Sequence, residues 1–340
     1  MEVILIIVCF SIMVALHEFG HFLSAKAIGV FVQEFGIGFP PRLFSKKIGE
    51  TVYSINAIPF GGFVKVYGSS HLEEHSGIEI TRSFSHQSIL RRLGVMAAGI
   101  FANFLIGWIL LSVVFMIGAP KGIMVNDTVK GGVAAVAGIQ KNDQILNLSA
   151  EEFINFVNAN KGKEIIFDIK RGSDVLKIKL TPRKIVPTGE GNLGVIITDL
   201  GLPQEGFFKS FWSGLMMSLD LVKDIALGLV YLIIDIFKGV PGVLNSFVGP
   251  VGIVSFAAET AKIGLIQLIH LFAIISLNLA VLNIIPIPGL DGSQIALALA
   301  EKIRGKALKP KTELIVNGIG LLALFALMIV VTARDVWRLF

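Results

Sequence analysis

Two histidines four residues apart, with a glutamate beside the first, form the most chemically loaded stretch of this sequence: His17-Glu18-Phe19-Gly20-His21. On a helix the two imidazoles lie one turn apart on the same face and can share a metal ion. Glu18 between them can act as general base toward a water that the metal activates. That chemistry is hydrolysis, most often of a peptide bond. The surroundings are unusual for it. Val3–Leu16 carries no charge, and apolar character resumes at Phe22-Leu23. Ionisable groups at membrane depth are costly and default to a functional reading. A chance pattern, or a structural histidine pair in a bundle, leaves that buried polarity unexplained.

A catalytic zinc site takes three protein ligands and keeps one position open. The best third ligand is Asp291, which closes the run Asn283-Ile284-Ile285-Pro286-Ile287-Pro288-Gly289-Leu290-Asp291-Gly292. Pro286, Pro288 and Gly289 must break a helix there. Broken backbone at membrane depth is tolerated only where it is buried in protein or lines a cavity.

The elements that must bring these residues together are membrane spans. Charged residues make up 16% of the chain, against roughly 25% for soluble domains. The mean hydropathy of +0.76 points the same way. The first apolar run has no basic leader and no convincing small-x-small cleavage site, so it reads as a retained span rather than a signal peptide. Leu93–Ile117, Leu265–Ile285 and Ile315–Val331 supply three more. Phe207–Phe237 is apolar but interrupted by Lys209, Asp220, Lys223, Asp224 and Asp235, which favours a helix lying in the interface. Ligand closure supports that choice: a fifth crossing there would deliver Asp291 to the side opposite the histidines. Lys26, Arg91, Arg92, Lys302, Arg304, Lys306, Lys309 and Lys311 flank the histidine side, so the positive-inside rule turns the metal end to the cytoplasm. The single cysteine, Cys9, excludes an intrachain disulfide framework. The net charge of +5 is dispersed and excludes the basic stripe of a nucleic-acid binder.

Between the second and third spans lies a more polar insert. Ile165, Phe167 and Ile169 alternate with polar positions, a Gly172-Ser173-Asp174 turn follows, and Leu176, Ile178 and Leu180 alternate again. Phe153, Ile154, Phe156 and Val157 predict one apolar helix face. Gly132–Ile145 resembles the PDZ signature of a small-residue helix leading into Gly-Asp-x-Ile, with Asn142 where Gly is usual. PDZ domains capture peptides along a sheet edge. A steric plug that binds no peptide is the plainer alternative for this insert.

Taken together, HExxH in the first span, the PDZ-like insert and Asn-x-x-Pro-x-Pro-x-Leu-Asp-Gly in the third span resemble the bacterial site-2 protease family. Pro59–Lys65 is similar to that family's membrane-associated β-loop, and Gly249-Pro250-Val251-Gly252-Ile253 to its Gly-Pro motif. Ala98-Gly99-Ile100-Phe101-Ala102-Asn103 lacks the proline usual at its third position. The resemblance implies a polytopic α-helical membrane protein of four transmembrane helices, with a β-loop and one extracytoplasmic PDZ-like domain. It implies an intramembrane zinc (Zn2+) metalloprotease of the cytoplasmic membrane that cuts transmembrane segments of single-span proteins, such as anti-sigma factors or remnant signal peptides. His17, His21 and Asp291 would hold zinc, with Glu18 catalytic. Asn283 and the β-loop residues Gly61, Gly62 and Phe63 would bind substrate backbone; a plain shielding hairpin is the alternative for that loop. The expected divisions are 1–118, 119–206, 207–263 and 264–340. The partners expected are substrate, lipid bilayer and a peptide ligand of the insert, with no nucleic acid.

His71-Leu72-Glu73-Glu74-His75 fits an inverted zinc motif but lacks the helical periodicity that would hold it on a core, so it reads as a solvated loop. His86 and His270 read as ordinary polar residues, and Asp127 and Asp143 as turn residues. A transporter would also carry broken helices at midplane, though no internal repeat is evident. A silent membrane scaffold displaying the insert would not need Glu18.

Overall fold

The structure, a computed structural model, describes residues 2–68, 78–119, 121–172, 174–186, 190–240, 249–306 and 310–337. The inverted motif at His71–His75 lies outside them. In chain order the elements are α1 (Glu2–Ala27), β1 (Val32–Ile48), β2 (Thr51–Val66), α2 (Ile89–Ile117), β3 (Gly122–Thr128), α3 (Val133–Val136), β4 (Gln144–Leu146), α4 (Ala150–Ala159), β5 (Ile165–Arg171), β6 (Asp174–Leu180), β7 (Val195–Asp199), α5 (Phe207–Phe237), α6 (Pro250–Ile263), α7 (Leu265–Ile284), α8 (Asp291–Arg304) and α9 (Pro310–Trp337). They fall into two compact units: residues 1–111 with 213–340, and residues 112–212.

In the first unit, segments of α1, α2, α7 and α9 are long and apolar enough to cross a membrane: Val3–Ala27, Ile89–Ile117, Leu265–Ile284 and Asn317–Trp337. The molecule is a multi-pass membrane protein. Small residues let α1 and α2 touch. A Cβ on Gly20 would meet the Ala98 carbonyl at 2.6 Å and the Ala102 Cβ at 2.9 Å. Close approach through small residues is the usual packing device between helices in lipid. One face of α5 packs Met217, Leu221, Val222 and Ile225 against Leu111 of α2 and Ala273 and Leu277 of α7. Its Asp220, Lys223 and Asp224 stay exposed.

β1 and β2 form a long, irregular hairpin around a two-residue turn, Gly49-Glu50, in which Gly49 takes φ +63°. Thr51–Asn56 pairs with Arg42–Ile48 on one side, and with Glu34–Ile37 on the other. The Glu34–Ile37 stretch in turn pairs with Gly62–Lys65. Gly62–Lys65 is therefore an edge, and it runs along α1. A Cβ on Gly62 would lie 3.8 Å from the Ala15 Cα, and the Ser11 hydroxyl donates to the Pro59 carbonyl. Pro59–Lys65, the β-loop expected from the sequence, is only the last part of this sheet.

The break after α7 is built as its residues require. Gly289 takes φ +96°, and α8 starts at Asp291. A Cβ on Gly292 would lie 2.3 Å from the Ile285 carbonyl oxygen, so α8 docks directly on the end of α7. Arg92 at the start of α2 donates to Glu301 of α8 over 2.9 Å, tying the two helices together.

The second unit is a five-stranded sheet in the order β6-β5-β4-β3-β7, antiparallel throughout, with α3 and α4 beside it. Ile123, Ile145, Phe153, Val157, Phe167 and Ile169 anchor its core. The apolar face of α4 is narrower than the sequence predicts: Phe153 and Val157 are buried while Ile154 and Phe156 are exposed. A Ser149/Glu152 capping box starts this helix. Asn142 stands at φ +71°, a conformation Asn tolerates better than most residues, which accounts for its replacing Gly. Asp143 closes a turn, as the sequence predicts: its amide donates to the Gln140 carbonyl and its carboxylate accepts from the Gln140 amide. It is also buried and accepts two hydrogen bonds from the Arg171 guanidinium, which fixes β5 to the loop before β4.

Candidate metal centre

α1 presents His17 and His21 one turn apart, and α2 fixes both rings. Each Nδ1 is bonded to a carbonyl oxygen, His17 to Gly99 (2.9 Å) and His21 to Val95 (2.8 Å), so Nδ1 must carry the proton. These two carbonyls are themselves one turn apart on α2 and match the histidine spacing. In the neutral imidazole that tautomer leaves each Nε2 as a bare lone pair. Both lone pairs aim at one point. The two Nε2 atoms are 3.3 Å apart, and each lies 3.3 Å from Asp291 Oδ2.

Three acceptors facing one another across 3.3 Å, with Asp291 Oδ2 buried and lacking a hydrogen-bond partner among the described residues, repel unless a cation joins them. An ion held ~2.0 Å from each atom in tetrahedral geometry needs ligand atoms ~3.3 Å apart. The arrangement fits that requirement, and among the described residues these three form a group able to hold a metal. Carbonyls that hold the far side of ligating imidazoles are the usual outer shell of such sites. Gly99 makes the fit possible: a Cβ there would stand 2.2 Å from His21 Nε2 and 2.7 Å from His17 Cε1.

Glu18, next in sequence to His17, lies on the adjoining face of α1 and lines a cleft of about 280 Å³ with His21, Phe63, Val64, Asp291 and Gln294. The Val64 backbone amide donates to its carboxylate. A Cβ on Gly62 would come within 3.5 Å of Glu18 Cγ. The β2 edge and the candidate base thus share one wall.

Of the residues singled out in the sequence, the fold brings together His17, His21 and Asp291, with Glu18, Gly62 and Phe63 beside them. Gly61 is turned elsewhere, at φ +100° against the Phe39 ring. Asn283 is half-buried in the last turn of α7 and is not among the described residues lining the cleft. Among the described residues His86 meets the neighbouring Ser85 hydroxyl, and His270 Nε2 is buried in α7 without a partner. Val95, Gly99 and Gln294 were not singled out as site residues. Only the helical spacing from His17 and Asp291 to their packing partners could have pointed to them.

These features define a class: a polytopic α-helical membrane protein with a His-His-Asp group able to hold a metal and a glutamate beside it. The chain belongs to peptidase family M50, the site-2 protease family, whose family profile matches residues 5–327. It is a zinc metalloendopeptidase by that membership. It is similar to a Clostridium perfringens protein named as a zinc metalloprotease, with 31% identity over 99% of this chain and 98% of that one. It is similar also to the Bacillus subtilis Regulator of sigma-W protease RasP, with 28% identity over 99% of each chain. Zinc metalloprotease RasP of Geobacillus kaustophilus is likewise 28% identical, over 100% of this chain and 98% of that relative. Membership favours the peptidase over the transporter and the silent scaffold.

Proposed function

We propose that this protein hydrolyses peptide bonds within the transmembrane segments of single-span membrane proteins. In this reading His17, His21 and Asp291 hold zinc and Glu18 is the general base. The observation that carries it is the convergence of three lone-pair donors at 3.3 Å, with both histidine Nδ1 atoms already committed to α2 carbonyls. Bound zinc supplies Lewis acidity, polarising the scissile carbonyl and lowering the pKa of water toward about 7. Glu18 takes a proton from the attacking water and returns it to the leaving amine as the C–N bond breaks. A substrate helix hides its carbonyls in its own hydrogen bonds, so it must unwind to be cut. The β2 edge at Gly62–Phe63, alongside Glu18, suits an extended strand held by backbone bonds. Gly61 keeps that edge bent, and Asn283 bonds the substrate backbone as it leaves the bundle.

The name of the Bacillus subtilis relative ties that protein to sigma-W regulation. By likeness, the substrates here are membrane-anchored regulators such as anti-sigma factors, together with remnant signal peptides. Lys26, Arg91, Arg92, Lys302, Arg304 and Lys306 support an orientation with the metal end toward the cytoplasm, in the bacterial cytoplasmic membrane. The insert then lies outside and serves as a PDZ-like domain that either captures peptide or limits access, while α5 lies in the interface.

Glu18→Gln tests the assignment. It should keep one zinc per chain while cleavage of a model single-span substrate falls by about 10²–10⁴-fold, since ligands survive and the base does not. Asp291→Ala should lose the metal itself. Near wild-type cleavage by the Glu18 variant, or full zinc in the Asp291 variant, would sink the reading.

A further inference from the structure

Hydrolysis of a peptide bond puts negative charge on the scissile carbonyl oxygen, and hydrogen-bond donors aimed at that charge are a large part of such catalysis. The cleft beside Glu18 is poor in them. Of the ten described residues lining it, six are apolar, two are the acids Glu18 and Asp291, one is His21 and one is Gln294. His21 is spent, with Nδ1 on the Val95 carbonyl and Nε2 in the ligand triangle. The Val64 amide is given to Glu18. Gln294 therefore carries the one side-chain N–H in this lining that is not committed elsewhere, and no described residue bonds it.

Its position on α8 is also set. Gly292 and Ser293 are buried, Gly292 on the carbonyls that end α7. Ile295 packs against the cluster that joins α1, α2 and the hairpin. Gln294, one turn beyond Asp291, shares its face at a Cβ separation of ~5–6 Å and is exposed to the cleft. This long amide thus lines the same cleft as Glu18 and Asp291, the cleft in which a substrate carbonyl would lie.

We infer that Gln294 is a catalytic residue whose side-chain amide donates to the scissile carbonyl oxygen as charge develops there. The inference rests on the zinc peptidase reading given above. Water oxygen bonds to the carbonyl carbon, its proton passes to Glu18, the C–N bond breaks, and Glu18 protonates the departing amine. Gln294 keeps its own protons throughout.

The test uses the full chain in detergent, loaded with zinc, acting on a model single-span substrate. Gln294→Ala and the isosteric Gln294→Glu should hold wild-type zinc by metal analysis and lose about 10²–10³-fold in kcat with KM little changed. Gln294→His, which keeps an N–H donor, should recover part of the loss. In a Glu18→Gln background, Gln294→Ala should weaken binding of a phosphinic transition-state mimic by about 10²-fold and leave binding of the parent peptide unchanged. A raised KM at unchanged kcat, or equal loss for mimic and parent peptide, would show ground-state binding and overturn the inference. Lost zinc in either variant would make Gln294 a prop for Asp291 and overturn it as well. A wild-type chain that binds no zinc would bring down both the inference and the reading beneath it.

Discussion

Gly99 shows how little freedom the metal centre leaves at single positions. Its carbonyl fixes His17, and its missing side chain makes room for both imidazoles. Gly99→Ala would push a methyl group to within 2.2 Å of His21 Nε2. The neighbours there are the two histidine rings, and neither can yield without moving its Nε2 off the point that it shares with Asp291. The expected result is a chain that still inserts and folds, destabilised by about 1–3 kcal/mol, with zinc affinity reduced at least tenfold, in line with outer-shell lesions. Titration with a competing chelator measures it. Zinc affinity equal to wild type would mean that the rings move freely and that the α2 carbonyls do not set their tautomer.

At the scale of elements, the hairpin must hold its edge against Glu18, and it is stapled to the end of α1. Glu50, in the hairpin turn, pairs with Lys26 of α1 and accepts two bonds from Arg82, whose guanidinium also covers the Phe31 ring. Hydrogen bonds from Lys26 and then Arg82 hold the Glu50 carboxyl below its ordinary range. Its folded value is thus lower than the unfolded value of about 4.3. The contribution is whole above that pH and is lost as pH falls through the folded value. The group is partly exposed, so the contribution is under ~1 kcal/mol. Amide exchange across Thr51–Asn56 should quicken as pH drops from about 5 to 3, after correction for intrinsic rates. Glu50→Gln should be faster at neutral pH and should lack that added step. Identical profiles for the two proteins would remove the staple from the account.

The same hairpin shows why part of this fold was hidden in the sequence. Four spans were legible because hydropathy is a local property. HExxH and Asp291 were legible because their chemistry demands fixed residue types. Period-two alternation, in contrast, marks a strand only when one face is buried. Here Ile37, Phe39, Leu43, Phe44, Ile55 and Ile58 are all exposed while Thr51, Ser54 and Asn56 are buried, so polarity in Val32–Ile58 does not mark an inner and an outer face. Gly99, Gln294 and the Arg92–Glu301 pair take their meaning from partners on other helices. Arg92 and Glu301 stand 209 positions apart, beyond any window of local pattern.

For the whole molecule, the two-unit division makes a test of autonomy. Every proposed ligand, the base and the cleft belong to residues 1–111 and 213–340. Residues 112–212 hold their own core and a complete sheet. The neck of that unit is narrow: Ala119 and Leu202 exchange backbone hydrogen bonds of 2.9 and 3.2 Å, and the Glu205 amide donates to the Phe115 carbonyl. A cut ending near residue 184 would strand β7, whose one sheet partner is β3, and leave a bare edge prone to association. Excising 121–200 removes the sheet entire, and a linker of a few Gly/Ser residues spans the neck. The shortened chain should bind one zinc with wild-type affinity and cut a short transmembrane peptide at wild-type rate. If the insert limits access, full-length substrates bearing bulky outer domains should be cut faster than by the intact protein. If it captures peptide, they should be cut more slowly. Loss of zinc on excision would show that the metal centre depends on the insert, and the two units would then have to be treated as one.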